Sequence, residues 1–330
     1  MTENGSDVVL RVEGLRTYFF VRRGVLRAVD GVSFHVRRGE AFGLVGESGC
    51  GKTMTSLSLM RLVPAPAGRI VGGRVVLGGR DLLQLSEREM QRVRGKEISI
   101  VLQDPMSSLN PAFTIGDQTA EPIRLHQRLR GGALWQKVIE SLKLVRIPAA
   151  EKRLGDYPHQ MSGGQRQRVV GAIGLSCQPT LLIADEPTTA LDVTVQAQYL
   201  ELLREAQNRL QLSMVFITHD FGVVARMCDR VAVMYAGRIV ETAGTRDLFD
   251  NPCHPYTKAL LACIPKVQAE EQELATIDGQ PPDLVNPHGH CRFAPRCTER
   301  IERCLQEYPP EVAVSENHQV SCWRGGSAAC

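Results

Sequence analysis

The octapeptide GESGCGKT at residues 46–53 constrains the fold of this chain more than any other feature. It follows the apolar run FGLV and precedes a stretch with helical spacing, which is the context expected of a phosphate-binding loop, or P-loop. Gly46 and Gly51 let the backbone curl so that successive N–H groups point at phosphate oxygens. Ser48 and Gly49 lie within the same cradle. The loop therefore predicts a nucleotide-binding site between a buried strand and a helix.

Two further residues of the loop and one acidic pair predict the chemistry of the site. Lys52 directs a positive charge toward the β- and γ-phosphates of a nucleotide, and the Thr53 hydroxyl can ligate Mg²⁺. The apolar run LLIAD at 181–185 predicts a buried parallel strand ending in Asp185, which can reach the Mg²⁺ shell. Glu186 follows outside the strand, where it could polarise an attacking water. A lone Asp-Glu pair also fits a helix start, but together with the P-loop it indicates ATP hydrolysis.

Strand and helix patterns alternate along the first 245 residues. Short apolar runs separated by glycine turns fill residues 8–100, and residues 106–180 have mainly helical spacing. This β-α-β-α order predicts an α/β fold, a parallel sheet flanked by helices with a helical insertion. Strands are expected at 8–15, 32–36, 42–46, 74–79, 98–102, 181–185 and 214–218, and helices after Lys52 and at 117–128, 131–146, 163–176, 193–211 and 221–228.

The composition excludes several classes of protein. With 330 residues, 23% of them charged and a net charge of +3, the chain has a globular rather than a disordered balance. A charge this near neutral gives no electrostatic case for binding nucleic acid. No stretch approaches the ~18 uncharged apolar residues that span a bilayer. The start MTENGSDVVLRVEG has acidic residues and no apolar segment, so we expect no secretory signal and ten reduced cysteines.

The segment MSGGQRQRV at 161–169 connects these elements to a known family. With it the chain resembles the ATPase subunits of ABC transporters, whose signature usually begins with Leu where this chain has Met. In that family the signature caps the γ-phosphate of ATP held by the opposite subunit. A serine and two glycines at a helix N-terminus suit an anion, although SGG alone would also fit a serine-capped helix start. The signature residues are Ser162, Gly163, Gly164 and Gln165.

The resemblance implies roles for several more positions. Gln103, in IVLQDP, matches the Q-loop glutamine that touches Mg²⁺ and the attacking water. Ala190-Leu191-Asp192 matches the D-loop, a contact between the two ATP sites, and His219, in FITHD, matches the switch histidine near the γ-phosphate. Phe19 is favoured as the aromatic residue that stacks on adenine, with Tyr18 as the alternative.

The resemblance also implies a domain organisation. Residues 1–245 would form an ABC nucleotide-binding domain with a RecA-like P-loop core, an antiparallel β subdomain and a helical subdomain at about 106–178. Residues 246–330 are rich in Pro, Cys and His and would form a small Cys-rich C-terminal extension. Within it, the acidic stretch at 269–273 is expected to be a solvated linker.

A narrower resemblance implies a membrane-associated system. ADEPTTALDVTVQAQ at 184–198, HPYTKALLACIP at 254–265 and CRFAPRC at 291–297 are similar to the D-type ATPase subunit of dipeptide and oligopeptide importers. That subunit pairs with a related F-type ATPase beneath two transmembrane permeases, which an extracytoplasmic substrate-binding protein supplies. The chain would then lie peripherally at the cytoplasmic face of the cell membrane, without a nucleic-acid partner.

Peptide is the expected cargo, and three alternatives stay open. Related systems import nickel, glutathione, haem or sugars, and the ATPase does not touch the cargo. An exporter ATPase would leave the importer-like C-terminal motifs unexplained. A soluble ABC ATPase of translation or DNA repair usually has two ATPase units or large insertions, and this sequence shows neither.

Four cysteines of the extension have a spacing that indicates a metal site. Their gaps of five, six and seventeen residues lack the C-x2–4-C pair usual for structural Zn²⁺, and wider gaps could wrap a [4Fe–4S] cluster held by four thiolates. The resemblance to the D-type subunit implies the same cluster. Zn²⁺, buried cysteines without metal, and disulfides in another compartment are the alternatives. The four are Cys291, Cys297, Cys304 and Cys322, with His290 and His318 as possible further ligands.

Overall fold

The computed structural model describes residues 7–189, 191–264 and 276–325. They belong to two compact units, each built from several segments of the chain. Unit 1 comprises Met1–Leu10, Val36–Ala41 and Leu77–Phe216, and unit 2 comprises Arg11–His35, Phe42–Val76 and Ile217–Cys330.

Strands and helices alternate along the chain. The strands are β1 (Val8–Val21), β2 (Gly24–Arg37), β3 (Ala41–Val45), β4 (Gly68–Leu77), β5 (Arg80–Asp81), β6 (Ile98–Val101), β7 (Leu181–Asp185), β8 (Ser213–Thr218), β9 (Arg230–Tyr235), β10 (Arg238–Gly244), β11 (Val312–Ser315) and β12 (His318–Val320). The helices are α1 (Lys52–Leu59), α2 (Glu87–Val93), α3 (Pro105–Ser108), α4 (Ile115–Gln127), α5 (Gly131–Leu144), α6 (Gly163–Leu175), α7 (Val193–Leu210), α8 (Phe221–Met227), α9 (Thr245–Asp250) and α10 (Pro255–Ala262).

Unit 2 contains strands in the order β11-β12-β10-β9-β3. β3 and β9 are parallel, with Leu44 opposite Ala232, whereas β9, β10, β12 and β11 pair antiparallel. β3 is buried along its whole length, as expected of a strand covered on both faces. β1 lies between β2 and β4 in a second sheet, and only two residues join β1 to β2, so these two form an antiparallel hairpin.

Unit 1 contains strands in the order β8-β7-β6 and the predicted helical insertion. β6 and β7 are parallel, with Ile98 opposite Leu181 and Val101 opposite Ala184. α6 packs on β6, and α4, α5 and α6 pack on one another. Helices predicted at 117–128, 131–146 and 163–176 are therefore confirmed, with starts within two residues of those expected.

Two strands extend through glycines that sequence patterns treat as turns. The first strand was expected to end at Leu15 but continues to Val21, and the strand expected at 74–79 begins at Gly68. A Cβ built on Gly73 would lie 2.6 Å from the Cα of Leu15. Gly73 therefore marks a close approach of two backbones rather than an end of the strand.

The C-terminal region adds regular structure to unit 2. Its strand β12 pairs with β10, with Glu241 opposite Val320 and Thr242 opposite Gln319. The sequence shows little periodicity here because β11 and β12 are only four and three residues long. The linker predicted at 269–273 lies outside the described residues. Among the residues that the structure describes, no helix is long and apolar enough to cross a bilayer.

Candidate nucleotide site

The predicted P-loop connects β3 to α1 in unit 2. Gly46 has a φ of 152°, and a Cβ at this position would lie 2.1 Å from the carbonyl oxygen of Met234. Gly51 has a φ of 109°, and its Cβ would lie 2.2 Å from the carbonyl oxygen of Ala28. Both glycines are therefore required by backbone conformation and by space.

Polar groups of the loop gather at the N-terminus of α1. The buried Lys52 ammonium donates hydrogen bonds to the carbonyls of Gly46 (2.7 Å) and Glu47 (3.0 Å). Ser48, Gly49 and Thr53 are exposed. A lysine, a glycine-rich loop and a helix N-terminus together form a site suited to a polyphosphate anion.

The two aromatic candidates lie next to each other on β1 and therefore on opposite faces of the strand. The Tyr18 hydroxyl donates to Asp30 Oδ1 at 2.7 Å, and burial together with that carboxylate raises the pKa of Tyr18. Phe19 lies against Gly68, where its Cε1 would be 2.7 Å from an added Cβ. Because the two side chains lie on opposite faces of β1, only one of them can stack on an adenine at a given side of the strand. Which of the two does so stays a prediction.

In unit 1 the predicted acidic pair lies at the end of β7. Asp185 is 1% exposed, and Glu186 follows in a left-handed conformation with a φ of 47°. Gln103 Nε2 donates to Glu186 Oε2 at 2.8 Å, and the Thr189 hydroxyl donates to the same oxygen at 3.0 Å. The structure thus brings the predicted Q-loop glutamine and the predicted base together, and it adds Thr189, which the sequence did not indicate.

The signature segment caps α6. The Ser162 hydroxyl accepts from the Gln165 N–H at 3.3 Å, and the Gln165 side-chain carbonyl accepts from the Ser162 N–H at 3.1 Å, a reciprocal capping box. A Cβ on Gly163 would meet nothing within 4 Å, which leaves that face of the helix start open. Gly164 instead faces Val195 of α7, whose Cγ1 would lie 2.7 Å from an added Cβ.

Two motif residues mark the starts of other elements. Asp192, of the predicted D-loop, caps α7 by accepting from the Val195 N–H at 3.0 Å, and Ala190 lies outside the described residues. His219 is exposed directly after β8, and Asp220 beside it caps α8. The predicted residues are therefore divided between the units. Unit 2 holds Tyr18, Phe19, the P-loop and His219, and unit 1 holds Gln103, Ser162, Gly163, Gly164, Gln165, Asp185, Glu186 and Asp192.

All four predicted cysteines line one small pocket in unit 2. Cys304 is buried, and Cys291, Cys297 and Cys322 are half-buried. Burial, together with the neighbouring cysteines, raises the pKa of Cys297 to about 11. A bound metal would instead hold its cysteine ligands as thiolates.

The remaining ligand candidates have other partners. The nine cysteines within the described residues are free thiols. His290 Nδ1 lies 3.2 Å from the Cys291 carbonyl oxygen, and its ring stacks on His288. His318 Nε2 lies 2.7 Å from Oε1 of the buried Glu241.

Contacts between the P-loop and the C-terminal region were missed by sequence reasoning. The Glu47 carboxylate is paired with Arg296, and its backbone N–H donates to the Tyr256 hydroxyl at 3.0 Å. Asp30 accepts hydrogen bonds from Arg292 and Arg238. The partners in these contacts are far apart in the chain, so no local sequence pattern predicts that they pair.

Together, the fold and these sites define an ATPase of the ABC type. Residues 29–189 match the family model "ABC transporter", and residues 240–304 match "Oligopeptide/dipeptide transporter, C-terminal region". The chain belongs to the ABC transporter family of ATP-binding proteins.

Named relatives and a solved structure agree with this assignment. The chain is 49% identical to the probable peptide ABC transporter ATP-binding protein y4tR of Sinorhizobium fredii, over 97% of this chain and 96% of the relative. It is also 49% identical to the dipeptide transport ATP-binding protein DppD of Bacillus subtilis, over 96% and 95%. The dimeric ATP-binding cassette MJ0796, solved in a post-hydrolysis state with ADP and Pi, has a TM-score of 0.65 at 24% identity. That alignment covers 72% of this chain and 99% of the cassette, and it confirms the fold.

Proposed function

We propose that this chain is the ATP-hydrolysing subunit of a peptide importer. The observation that carries the proposal is the full-length similarity to peptide and dipeptide transport ATP-binding proteins, which includes the C-terminal region. This C-terminal match distinguishes the chain from exporter ATPases and from soluble ABC ATPases of translation or DNA repair. Importers of nickel, glutathione or haem remain the nearest alternative, since the ATPase does not contact the cargo.

The predicted residues have distinct roles in this proposal. Lys52 and the P-loop N–H groups bind the triphosphate, and Tyr18 or Phe19 stacks on the adenine. Thr53, Asp185 and Gln103 offer hydroxyl, carboxylate and amide oxygens, the donors that Mg²⁺ prefers. When bound, Mg²⁺ neutralises charge on the phosphate oxygens. His219 and Asp192 act near the γ-phosphate and at the subunit contact, as their motifs imply.

The hydrogen bonds around Glu186 support its proposed role as the general base. Glu186 orients the attacking water and accepts its proton, while the hydrogen bonds from Gln103 and Thr189 hold the carboxylate in place. The open start of α6 at Ser162 and Gly163 receives the γ-phosphate of ATP held by another subunit.

We infer that the partners are a second ATPase of the F type, two transmembrane permeases and, indirectly, an extracytoplasmic binding protein. The chain would then lie at the cytoplasmic face of the cell membrane. Affinity purification from detergent-solubilised membranes tests this assembly. Co-purifying permeases and a second ABC ATPase support it, whereas co-purifying ribosomes or DNA would overturn it.

We propose further that the four-cysteine pocket binds a [4Fe–4S] cluster, with Zn²⁺ as the alternative. The fit rests on four sulfur donors around one pocket and on their shielding from solvent, since Cys304 is buried and the other three are half-buried. Such a cluster would fasten together the loops that contain Cys291, Cys297, Cys304 and Cys322.

Metal analysis after anaerobic purification decides between the two metals. We expect a brown protein with about four iron and four sulfide per chain, and loss of the colour in Cys297→Ser. Cys263→Ser is the matched control, because Cys263 lies outside the pocket. A colourless protein with stoichiometric zinc would refute the iron–sulfur assignment.

A further inference from the structure

One ion pair connects the C-terminal region to the P-loop. Arg296 contacts the Glu47 carboxylate twice, with Nη1 2.7 Å from Oε2 and Nη2 3.0 Å from Oε1. Its side chain is 4% exposed and also donates to the carbonyls of Asp278 (2.9 Å) and Ile277 (3.1 Å) and to the Tyr235 hydroxyl (3.4 Å). All five guanidinium N–H groups therefore have acceptors, and the charge is fixed in place.

Glu47 places a negative charge on a loop that binds an anion. Its backbone is part of the cradle, because the carbonyl accepts from Lys52 at 3.0 Å and the N–H donates to Tyr256 at 3.0 Å. An uncompensated carboxylate here would repel a polyphosphate. A bidentate arginine is the strongest neutralising partner that a protein offers a carboxylate.

A second arginine of the same segment makes a comparable contact. Arg292 donates to the Asp30 carboxylate and to the Ala236 carbonyl. Asp30 also accepts from the Tyr18 hydroxyl, one of the two candidate adenine-stacking residues, and from Arg238. Both arginines are neighbours of pocket cysteines, so the segment CRFAPRC contacts the P-loop directly at Glu47 and is linked to Tyr18 through Asp30.

We propose that Arg296 is a positioning residue for nucleotide binding, which neutralises Glu47 and fixes the P-loop from the C-terminal region. The inference rests on the proposed ATP site and adds a determinant outside the ATPase motifs. It gives the C-terminal region a role in nucleotide affinity.

Equilibrium binding of a fluorescent ATP analogue to the full-length chain tests the inference. Arg296→Met removes the charge while retaining the stem, and we expect the Kd to rise about tenfold. The double variant Arg296→Met/Glu47→Gln removes both charges, and its Kd should return to within about twofold of the wild type. Arg246→Met is the control, because Arg246 is 93% exposed in the same unit and pairs only loosely with Asp250.

Recovery in the double variant separates charge neutralisation from structural support. Iron and zinc are measured in every variant, because Arg296 adjoins Cys297 in the sequence. An unchanged Kd in Arg296→Met, or a double variant as weak as the single one, would overturn the inference. Failure of the wild type to bind nucleotide would instead refute the proposed function.

A further variant keeps the inference testable if Arg296→Met does not fold. Glu47→Gln alone neutralises the loop and leaves Arg296 in place, so it should bind the analogue at least as tightly as the wild type. Binding weakened by about tenfold in Glu47→Gln would contradict a role through charge.

Discussion

Glu186 is held in an uncommon backbone conformation where the chain leaves β7. A non-glycine residue in the left-handed region costs about 1 kcal/mol or more and persists where surrounding contacts hold it. Gln103 and Thr189 supply such contacts through hydrogen bonds to one carboxylate oxygen. These two hydrogen bonds therefore help to position the carboxylate.

Replacing this carboxylate should separate nucleotide binding from hydrolysis. In Glu186→Gln we expect ATP hydrolysis to fall by about 10²–10⁴-fold, because an amide cannot accept the proton of the attacking water. The Kd for ATP should stay within about twofold of the wild type. Phosphate release and equilibrium binding measure the two quantities, and Glu201→Gln, on the exposed face of α7, is the control. Near-normal turnover would exclude Glu186 as the base.

Glu241 is a second carboxylate, and its pKa is set by the groups around it. It is 1% exposed and accepts from the backbone N–H groups of Cys253 (2.6 Å) and His254 (3.0 Å), and it lies beside His318. Burial acts to raise its pKa, but the hydrogen bonds from His318 and from these two N–H groups outweigh burial and lower it. The ionised carboxylate thus connects β10, β12 and the start of α10.

Because the pKa of Glu241 is lowered, its contribution to the stability of the fold should decrease as the pH falls. A carboxylate whose pKa is lower when folded contributes full stability above its ordinary value of 4.5, and that contribution is lost as the pH falls through the folded value. Glu241→Gln should lower the free energy of unfolding by about 3 kcal/mol at neutral pH. This deficit should shrink below pH 4.5. Urea unfolding over that range measures it, and a deficit that does not change with pH would contradict the assignment.

At the scale of elements, α6 and α7 approach each other at glycines. Gly164 faces Val195, and Gly171 faces Tyr199, whose hydroxyl would lie 2.8 Å from an added Cβ. The SGG sequence therefore serves two purposes, since Gly163 leaves the helix start open and Gly164 permits the packing.

The two signature glycines should respond differently to an added methyl group. Gly164→Ala should lower the free energy of unfolding by about 1–3 kcal/mol through crowding against Val195, whereas Gly163→Ala should have a small effect on stability. The double variant Gly164→Ala/Val195→Ala should recover most of the loss. Chemical unfolding of the four proteins checks this, and equal losses at both glycines would contradict the packing.

Elements whose signals are local could be predicted from the sequence, and those set by tertiary contact could not. β7 and the P-loop were located correctly because an apolar run or a glycine pattern defines them within a few residues. The extension of β1 beyond Leu15 depends on Gly73 of another strand, and β12 depends on pairing with β10. No window of the sequence contains both partners of such contacts.

At the scale of the whole molecule, the same limit applies to charge pairs. Glu47 and Arg296 are 249 residues apart, and the sequence offers many other acids and bases as partners. Motif spacing predicted roles for Lys52 and Glu186 because such motifs are shared by a family, whereas the ion pair of Glu47 with Arg296 is visible only in the folded chain. The four cysteines lie between these two cases. Their spacing in the sequence indicated that they belong together, and the structure shows that they line one pocket.

Peptide uptake by cells tests most directly whether ATP hydrolysis by this chain drives import. Cells lacking the chain are complemented with the wild type or with Glu186→Gln, and uptake of a radiolabelled dipeptide is followed while immunoblots compare the amounts at the membrane. We predict that the wild type restores uptake and that Glu186→Gln, at equal abundance, leaves it at background. Restored uptake with Glu186→Gln, or none with the wild type, would contradict a peptide importer powered by this chain.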